Sequence, residues 1–249
     1  MKPLSIQLYT VRNLIAEIGL PKVLEQIAQI GYRGVEGGAG EGQTNPEFRN
    51  MVHDLGMVVS STWGDISTPD GVERLVENCH ELGTGHAAGG FWIPAFETRE
   101  AIAETSETLN RALPTLKASG ISFGLHNHWM EFERRNDMLV MDILIAEVPE
   151  LHLELDIYWA SNFGENRPEE MVARYAERVV LMHVKDGPQL KDKPMTAVGH
   201  GTVNIPACVL AAQPTWLVVE LDEFDGNMMD AVRDSYTYLT SQGLASGTK

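Results

Sequence analysis

The sequence is short of basic residues. Across 249 residues it carries 19 Lys and Arg against 35 Asp and Glu, a formal net charge of −16. Nucleic acids are bound by Lys and Arg neutralising backbone phosphates, so this balance excludes nucleic acid as an expected ligand. Anionic membrane surfaces are excluded for the same reason. Long hydrophobic runs are also missing: no apolar stretch approaches the roughly 18 residues of a membrane-spanning helix. The opening segment from Met1 to Thr10 is too short in its apolar part and too polar afterwards for a secretory signal. Cysteine is scarce. Cys79 and Cys208 have no CxxC partner, which reads as two small buried residues in a reducing compartment, the cytoplasm. A phosphate loop is absent as well. The run from Gly37 to Gly42 has no GxGxxG opening a helix and no Walker lysine, leaving a mobile loop at a site mouth. A neutral small molecule, or one whose charge a bound cation offsets, fits this composition.

What is present is a repeated unit. The hydrophobic fraction of 43% is enough for a sizeable core. Ser5-Ile-Gln-Leu-Tyr9 alternates as a first strand. Helical spacing from Pro21 to Ile30 stops at Gly31, and Tyr32-Arg-Gly-Val-Glu36 is a second strand ending in a carboxylate. A helix over 45–55 then precedes a strand over 57–61 that ends near Trp63. The next helix, 69–82, precedes a small-residue strand over 85–90 that contains His86. Helix 98–119 leads through Gly120 into Ile-Ser-Phe-Gly-Leu-His126. Helix 137–147 precedes Leu151–Asp156, helix 168–176 precedes Val179–His183, and helix 205–212 precedes Trp216–Glu220. Helix 227–242 closes the chain before a polar tail over about 244–249. Eight strand–helix units, spaced by roughly 30 residues, predict parallel β alternating with α. With no long linker or shift in composition, a closed (β/α)₈ TIM barrel of the α/β class, one domain over 1–249, is favoured over a doubly wound sheet.

Active sites of such barrels lie at the C-terminal ends of the strands. The expected ends carry Gln7 and Tyr9, Glu36, Trp63, His86, His126 and His128, Asp156, His183 and Glu220. Strand residues alternate faces, so His126 and His128 point the same way and Asn127 the other. Alone, the two imidazoles read as metal ligands, an acid/base pair or a hydrogen-bonded structural pair. Carboxylates and imidazoles that close consecutive apolar strands are expensive to bury unless paired or coordinated. Together they point to a site for one divalent metal. Mixed nitrogen and oxygen ligation leaves Mn²⁺, Zn²⁺, Co²⁺ and Fe²⁺ open, with Mn²⁺ the first expectation and Mg²⁺ less favoured. Lys185 faces the lumen or pairs with Asp186 at the surface. Glu154 shares the face of Asp156 deeper in the barrel, where it needs a partner or a proton. Trp129 and Trp159 stack on a sugar ring or pack a loop. His200, in Gly199-His-Gly201, lies where a backbone can approach a ligand closely.

Seven segments carry a resemblance over nearly the whole chain: Ile6–Arg12, Ile30–Glu36, His126-Asn-His-Trp-Met-Glu-Phe132, Leu155–Trp159, His183-Val-Lys-Asp186, Gly199–Asn204 and Val219–Asp222. They resemble the sugar phosphate isomerase/epimerase family of xylose isomerase-like barrels, in its HNHxxEF branch. The resemblance implies a divalent metal held at the ends of strands five to eight, with Asp156, His183 and Glu220 as ligands. Many relatives have a glutamate where this chain has His126. Either His126 replaces it, as strand geometry favours, or Glu131 reaches back. Sugar epimerases of this fold pair two glutamates, on strands five and eight, as acid/base groups; here the first is missing from its expected place.

The implied chemistry is proton abstraction next to the carbonyl of a keto-sugar, with the ion stabilising the enediolate as a Lewis acid. Glu220, His128, Glu131 and Lys185 are the candidates for proton transfer. Gln7, Tyr9, Glu36, Trp63, Trp129, Trp159 and His200 are the expected substrate contacts. Return of the proton gives isomerisation or epimerisation. Expulsion of a leaving group gives a lyase, as the resemblance to inosose dehydratases and enzymes cleaving 3-keto-glycosides implies. The contrasting class is a silent sugar-binding barrel, or a subunit active only with a partner. Phe91, Trp92 and Phe96 cover the barrel mouth or form a subunit contact, as in a homo-oligomer. No basic cluster is present to hold a phosphate.

Overall fold

Helix starts in this chain are marked by side chains that the backbone itself needs. Thr44, Thr68, Thr98, Asn204 and Asn227 each accept a hydrogen bond from an N–H of the following first turn, satisfying donors that a helix leaves open. Thr44 and Glu47 do this reciprocally, as a capping box. The helices so begun are α3 (Asn45–Asp54), α4 (Pro69–Leu82), α5 (Arg99–Ala118), α8 (Ile205–Ala211) and α9 (Met228–Ser241), joined by α1 (Arg12–Ile18), α2 (Leu20–Ile30), α6 (Val140–Glu147) and α7 (Pro168–Tyr175).

Between the helices run eight parallel strands in a computed structural model that describes residues 1–248. They are β1 (Lys2–Gln7), β2 (Gly34–Glu36), β3 (Val58–Trp63), β4 (His86–Gly89), β5 (Ser122–His126), β6 (His152–Asp156), β7 (Val179–Val184) and β8 (Trp216–Val219). Each pairs with the next, and β8 returns to β1 with Leu4 opposite Leu217 and Ile6 opposite Val219, closing the (β/α)₈ TIM barrel. The strands are covered on both faces, which explains apolar runs such as Val-Val-Leu-Met in β7. Outward residues pack under the helices, with Val23, Leu24 and Ile27 of α2 fully buried. The lumen is polar instead. Ser5, Glu36, Ser60, Glu154 and His183 are all buried, and the Ser5 and Ser60 hydroxyls hydrogen-bond at 2.6 Å. At Gly124 the next strand comes so close that a Cβ would lie 2.6 Å from the Glu154 backbone nitrogen.

Several boundaries differ from the sequence expectation. The first strand begins earlier and stops at Gln7; Tyr9 falls in a 3₁₀ turn, exposed, with the Arg12 guanidinium 3.8 Å over its ring. His86 opens β4 rather than closing it. Ala-Ala-Gly-Gly offers no apolar alternation to mark where that strand ends, so the ring lies away from the site. The helix expected from 137 begins at Val140, because Arg134–Arg135 and Met138–Leu139 form a small antiparallel hairpin around Asn136 and Asp137, both at positive φ. The stretch expected as a polar tail returns to the barrel: Leu244 and Ala245 are buried, and Ala245–Ser246 lies parallel to Lys2–Pro3. Lys249 lies outside the described residues. Among the described residues no helix is long and apolar enough to cross a membrane.

Gly124→Ala is expected to push β5 from β6 and destabilise the barrel by about 1–3 kcal/mol, the range for overpacking a dense core. Urea denaturation measures it; an unchanged midpoint would show that the strands yield freely there.

Candidate metal centre and active site

The C-terminal ends of β5 to β8 bring four donor side chains together. One donor atom from each of His126, Asp156, His183 and Glu220 lies within 4.8 Å of one from every other, and all four residues are buried. Asp156 is positioned by its own chain: the Tyr158 and Trp159 N–H groups donate to Oδ1, both at 2.9 Å. Its other oxygen, Oδ2, makes an ion pair with the Lys185 ammonium at 3.0 Å and lies 4.0 Å from His126 Nε2. Asn127, on the opposite face from the two histidines, ties β5 to β6 by accepting the Asp156 N–H at 2.9 Å.

Each imidazole of this group rests its other nitrogen on a buried carboxylate. His126 Nδ1 is 3.2 Å from Glu154 Oε2. His183 Nε2 is 2.8 Å from Glu36 Oε1, while its Nδ1 is 2.8 Å from Glu220 Oε2. Carboxylates behind metal-ligating histidines fix ring orientation and raise basicity. Glu36, Glu154 and His183 also form a cluster of donor atoms within 4.8 Å, and this outer support explains it. Glu36 is itself held by the Ser61 hydroxyl, by Gln7 Nε2 at 2.6 Å and by the Trp63 indole at 3.0 Å. Two imidazole nitrogens and two carboxylate oxygens gathered within 4.8 Å, with outer carboxylates in place behind the rings, fit a divalent ion.

Burial and charge divide these groups. Burial opposes the charge on His183, but Glu154, Glu36 and Glu220 outweigh it and hold the pKa well above the usual value. His126 is pushed well below, by burial first and then by His183 and His128. Burial lifts Asp156 to about 6 although Lys185 and His183 draw it down. Glu154 is driven well up by burial and by Glu36 beside it. For Glu36, burial acts upward, yet His183 and hydrogen bonds from His183, Glu154 and Ser61 keep it below the ordinary range. Glu220 is likewise held well below, Lys185 and His183 prevailing over burial.

Lys185, 1% exposed, faces this cluster. Its ammonium lies 2.7 Å from Glu220 Oε2, 3.0 Å from Asp156 Oδ2 and 3.0 Å from Asp222 Oδ2. Asp222 ends the Val219–Asp222 segment of the resemblance but has no strand-end signal of its own, because it lies in a loop beyond β8. Above these groups opens a cavity of about 690 Å³, bordered by Gln7, His126, His128, Lys185, Glu220 and Asp222 and walled by Trp63, Trp92, Trp129, Trp159 and Phe163.

A family model for the xylose isomerase-like TIM barrel matches residues 24–240. The chain belongs to that family. A search of curated protein sequences matched nothing. Among solved structures, a sugar phosphate isomerase/epimerase from Parabacteroides distasonis ATCC 8503 is similar at 23% identity, with TM-score 0.78, covering 98% of this chain and 96% of its own. The probable 3-DHS dehydratase AsbF from Bacillus anthracis is similar at 15% identity, with TM-score 0.75, over 96% and 99%. An L-ribulose 3-epimerase, at 17% identity, gives TM-score 0.72 over 98% and 95%. At these identities the likeness is one of fold.

Within this xylose isomerase-like barrel the remaining expected residues divide. Gln7, Tyr9, Trp63, His128, Trp129 and Trp159 border the cavity, while Glu36 lies beneath it among its hydrogen bonds. Glu131 is not in the donor group; its Oε2 accepts the His128 backbone N–H at 3.0 Å, folding the loop onto itself. His200 is exposed and borders a separate surface cavity with Pro188 and Phe224. Asp186 is not the surface partner of Lys185: it is 1% exposed and accepts only backbone N–H groups of its own loop. Phe96 is buried in the core, whereas Trp92 is half exposed at the cavity mouth.

Glu131 gives a pH test. Burial, partly offset by backbone N–H groups, raises its pKa from 4.5 to about 8. A raised carboxyl stabilises the fold fully below its unfolded value and loses that contribution as pH rises through about 8. Glu131→Gln is therefore expected to equal or trail the wild type at pH 6 and to exceed it at pH 9 by about 1–3 kcal/mol. Urea melts at both pH values check this; a constant difference would place the titration elsewhere.

Proposed function

We propose that this chain is a divalent-metal-dependent isomerase or epimerase of keto-sugars that removes a proton from the carbon beside a carbonyl. The observation that carries the reading is the convergence of His126, Asp156, His183 and Glu220 beneath a cavity that Lys185 also borders. His126 Nε2, Asp156 Oδ2, His183 Nδ1 and Glu220 Oε2 would hold the ion, Mn²⁺ first, with Zn²⁺, Co²⁺, Fe²⁺ and Mg²⁺ as further occupants. When bound, it supplies Lewis-acid polarisation of the carbonyl.

The chain's own residues supply the proton chemistry. Glu220, kept ionised by Lys185 and His183, is the base bordering the cavity. Lys185, held by Asp222, sets a positive charge beside the cavity that offsets negative charge as it develops. Burial lowers His128 to about 4, so at neutral pH it serves as an uncharged hydrogen-bond partner. Glu131 supports the loop that presents His128. The aromatic walls exclude water and position a sugar ring. Two free, buried cysteines fit a reducing, cytoplasmic setting.

A lyase is the second reading, favoured by where the carboxylates stand. Asp192, Glu220, Asp222 and Glu223 border the cavity from the end of β8 and from loops following β7 and β8, whereas the β5 side offers His126 and His128. Epimerisation needs proton transfer on both faces of the carbon. A single base suffices for aldose–ketose isomerisation or for expelling a β-leaving group.

Purified protein is expected to hold one divalent ion by elemental analysis and to lose it in Asp156→Ala and Glu220→Ala. Glu36→Gln, removing an outer carboxylate, should weaken metal affinity about 10–100-fold. Protein without an ion, insensitive to these changes, would sink the metal-enzyme reading. Incubation with keto-sugars and keto-glycosides in D₂O separates the outcomes: deuterium in recovered sugar marks isomerisation or epimerisation, and stoichiometric release of a leaving group marks the lyase.

A further inference from the structure

The cavity extends past the donor cluster between rings that the proton chemistry does not use. Trp129, Trp159 and Phe163 meet with centroids 5.4 to 5.8 Å apart, and Trp92 stands 6.1 Å from Trp129. Phe163 holds its ring there at φ 54, beside Asn162 at φ 45. That left-handed backbone strains a bulky residue and persists where placement of the ring matters. Trp159 Nε1 and His128 Nδ1, both buried in this wall, have no hydrogen-bond partner, although buried polar atoms ordinarily find one. The volume of about 690 Å³ lies in the ~300–1,000 Å³ range of sites for drug-sized ligands, more than one sugar ring fills.

Among the described residues, the backbone site that would take a phosphate is already filled. TIM barrels frequently bind phosphate with the loops after strands seven and eight and the N-terminus of a short helix. Here the loop after β7 is filled by the chain's own anion. Asp186 Oδ1 accepts the N–H groups of Gly187 at 2.8 Å and Val203 at 3.1 Å. Its Oδ2 accepts those of Gly199 at 2.9 Å and Gly201 at 3.0 Å. The start of α8 is capped by Asn204. Lys185 is engaged by three carboxylates, and Lys193 shares the rim with Asp192, Asp222 and Glu223.

Building on the sugar reading above, we propose that the substrate is an unphosphorylated two-ring glycoside. Its sugar ring sits over the donor cluster, and its second ring, flat or with an apolar face, packs against Trp129, Trp159 and Phe163. Aromatic rings supply large apolar area with defined geometry.

The test is binding, measured by calorimetry on the full-length protein with glucose, glucose 6-phosphate, cellobiose and phenyl β-D-glucopyranoside. These glucosides lack the ketone and do not turn over. At least one two-ring probe is expected to bind about tenfold or more tighter than glucose, and the phosphate should add nothing. Which two-ring probe wins identifies the second ring as sugar or aryl. Phe163→Gly suits the left-handed backbone, so the fold should persist in a thermal melt while the two-ring advantage falls about tenfold. Tighter binding of glucose 6-phosphate than of glucose, no gain from a second ring, or no binding by any probe overturns the proposal. Repeating the titrations after chelation keeps this outcome separate from the metal question: the ratio of two-ring probe to glucose does not need the ion.

Discussion

Five carboxylates and two cationic side chains share the upper lumen, and their mutual neutralisation is the constraint on which the site depends. Glu36, Glu154, Asp156 and Glu220 are buried, and Asp222 completes the cage around the Lys185 ammonium. Removing such charges from water costs several kcal/mol each unless partners replace the lost hydration. Each neighbour is therefore specified. His183 bridges Glu36 and Glu220, one on each ring nitrogen. Lys185 bridges Asp156, Glu220 and Asp222. Glu154, crowded by Glu36, is the member that burial drives toward its protonated form. Only a scaffold that fixes all these groups together can hold them, and a closed parallel barrel does so by placing each at the end of a paired strand. Stability then comes from the apolar layer between strands and helices.

The parts of this arrangement legible in the sequence are those that a strand announces. Val-Val-Leu-Met ending in His183, and Trp-Leu-Val-Val ending in Glu220, break apolar runs with groups that are costly to bury. Two-residue periodicity then sets Lys185 and Glu154 on the lumen face. Partnership between distant segments had no such signal. Glu36 stood out as a strand end, yet its bond to His183 joins residues 147 apart in the chain. Asp222, beyond β8, sits among polar neighbours that carry no period. Loops were read least well. Glu131 and His200 lie in segments where nothing in residue spacing fixes direction; the first folds back onto the His128 N–H and the second turns to solvent. Helix α1 was missed because Arg12–Ile18 has no buried residue of its own, so it lacks a sharp apolar stripe.

Lys185 and Asp186 explain how one dipeptide serves both floor and mouth of the cavity. Consecutive residues at a strand end face opposite ways. Lys185 turns inward to balance the lumen's carboxylates, and Asp186 turns to the loop from Gly187 to Val203. Four backbone N–H groups converge on its carboxylate, and the approach is so close that a Cβ on Gly201 would lie 2.1 Å from Oδ1. Glycine is required there. A loop pinned at its base in this way presents Leu190, Asp192, Lys193 and Met195 along the cavity without a ligand to order it. The anion that many barrels borrow from their substrate is built into this chain. The chain is acidic overall, and Asp192, Asp222 and Glu223 make this rim acidic as well, so the loop is held by its own carboxylate in surroundings that would repel a second anion.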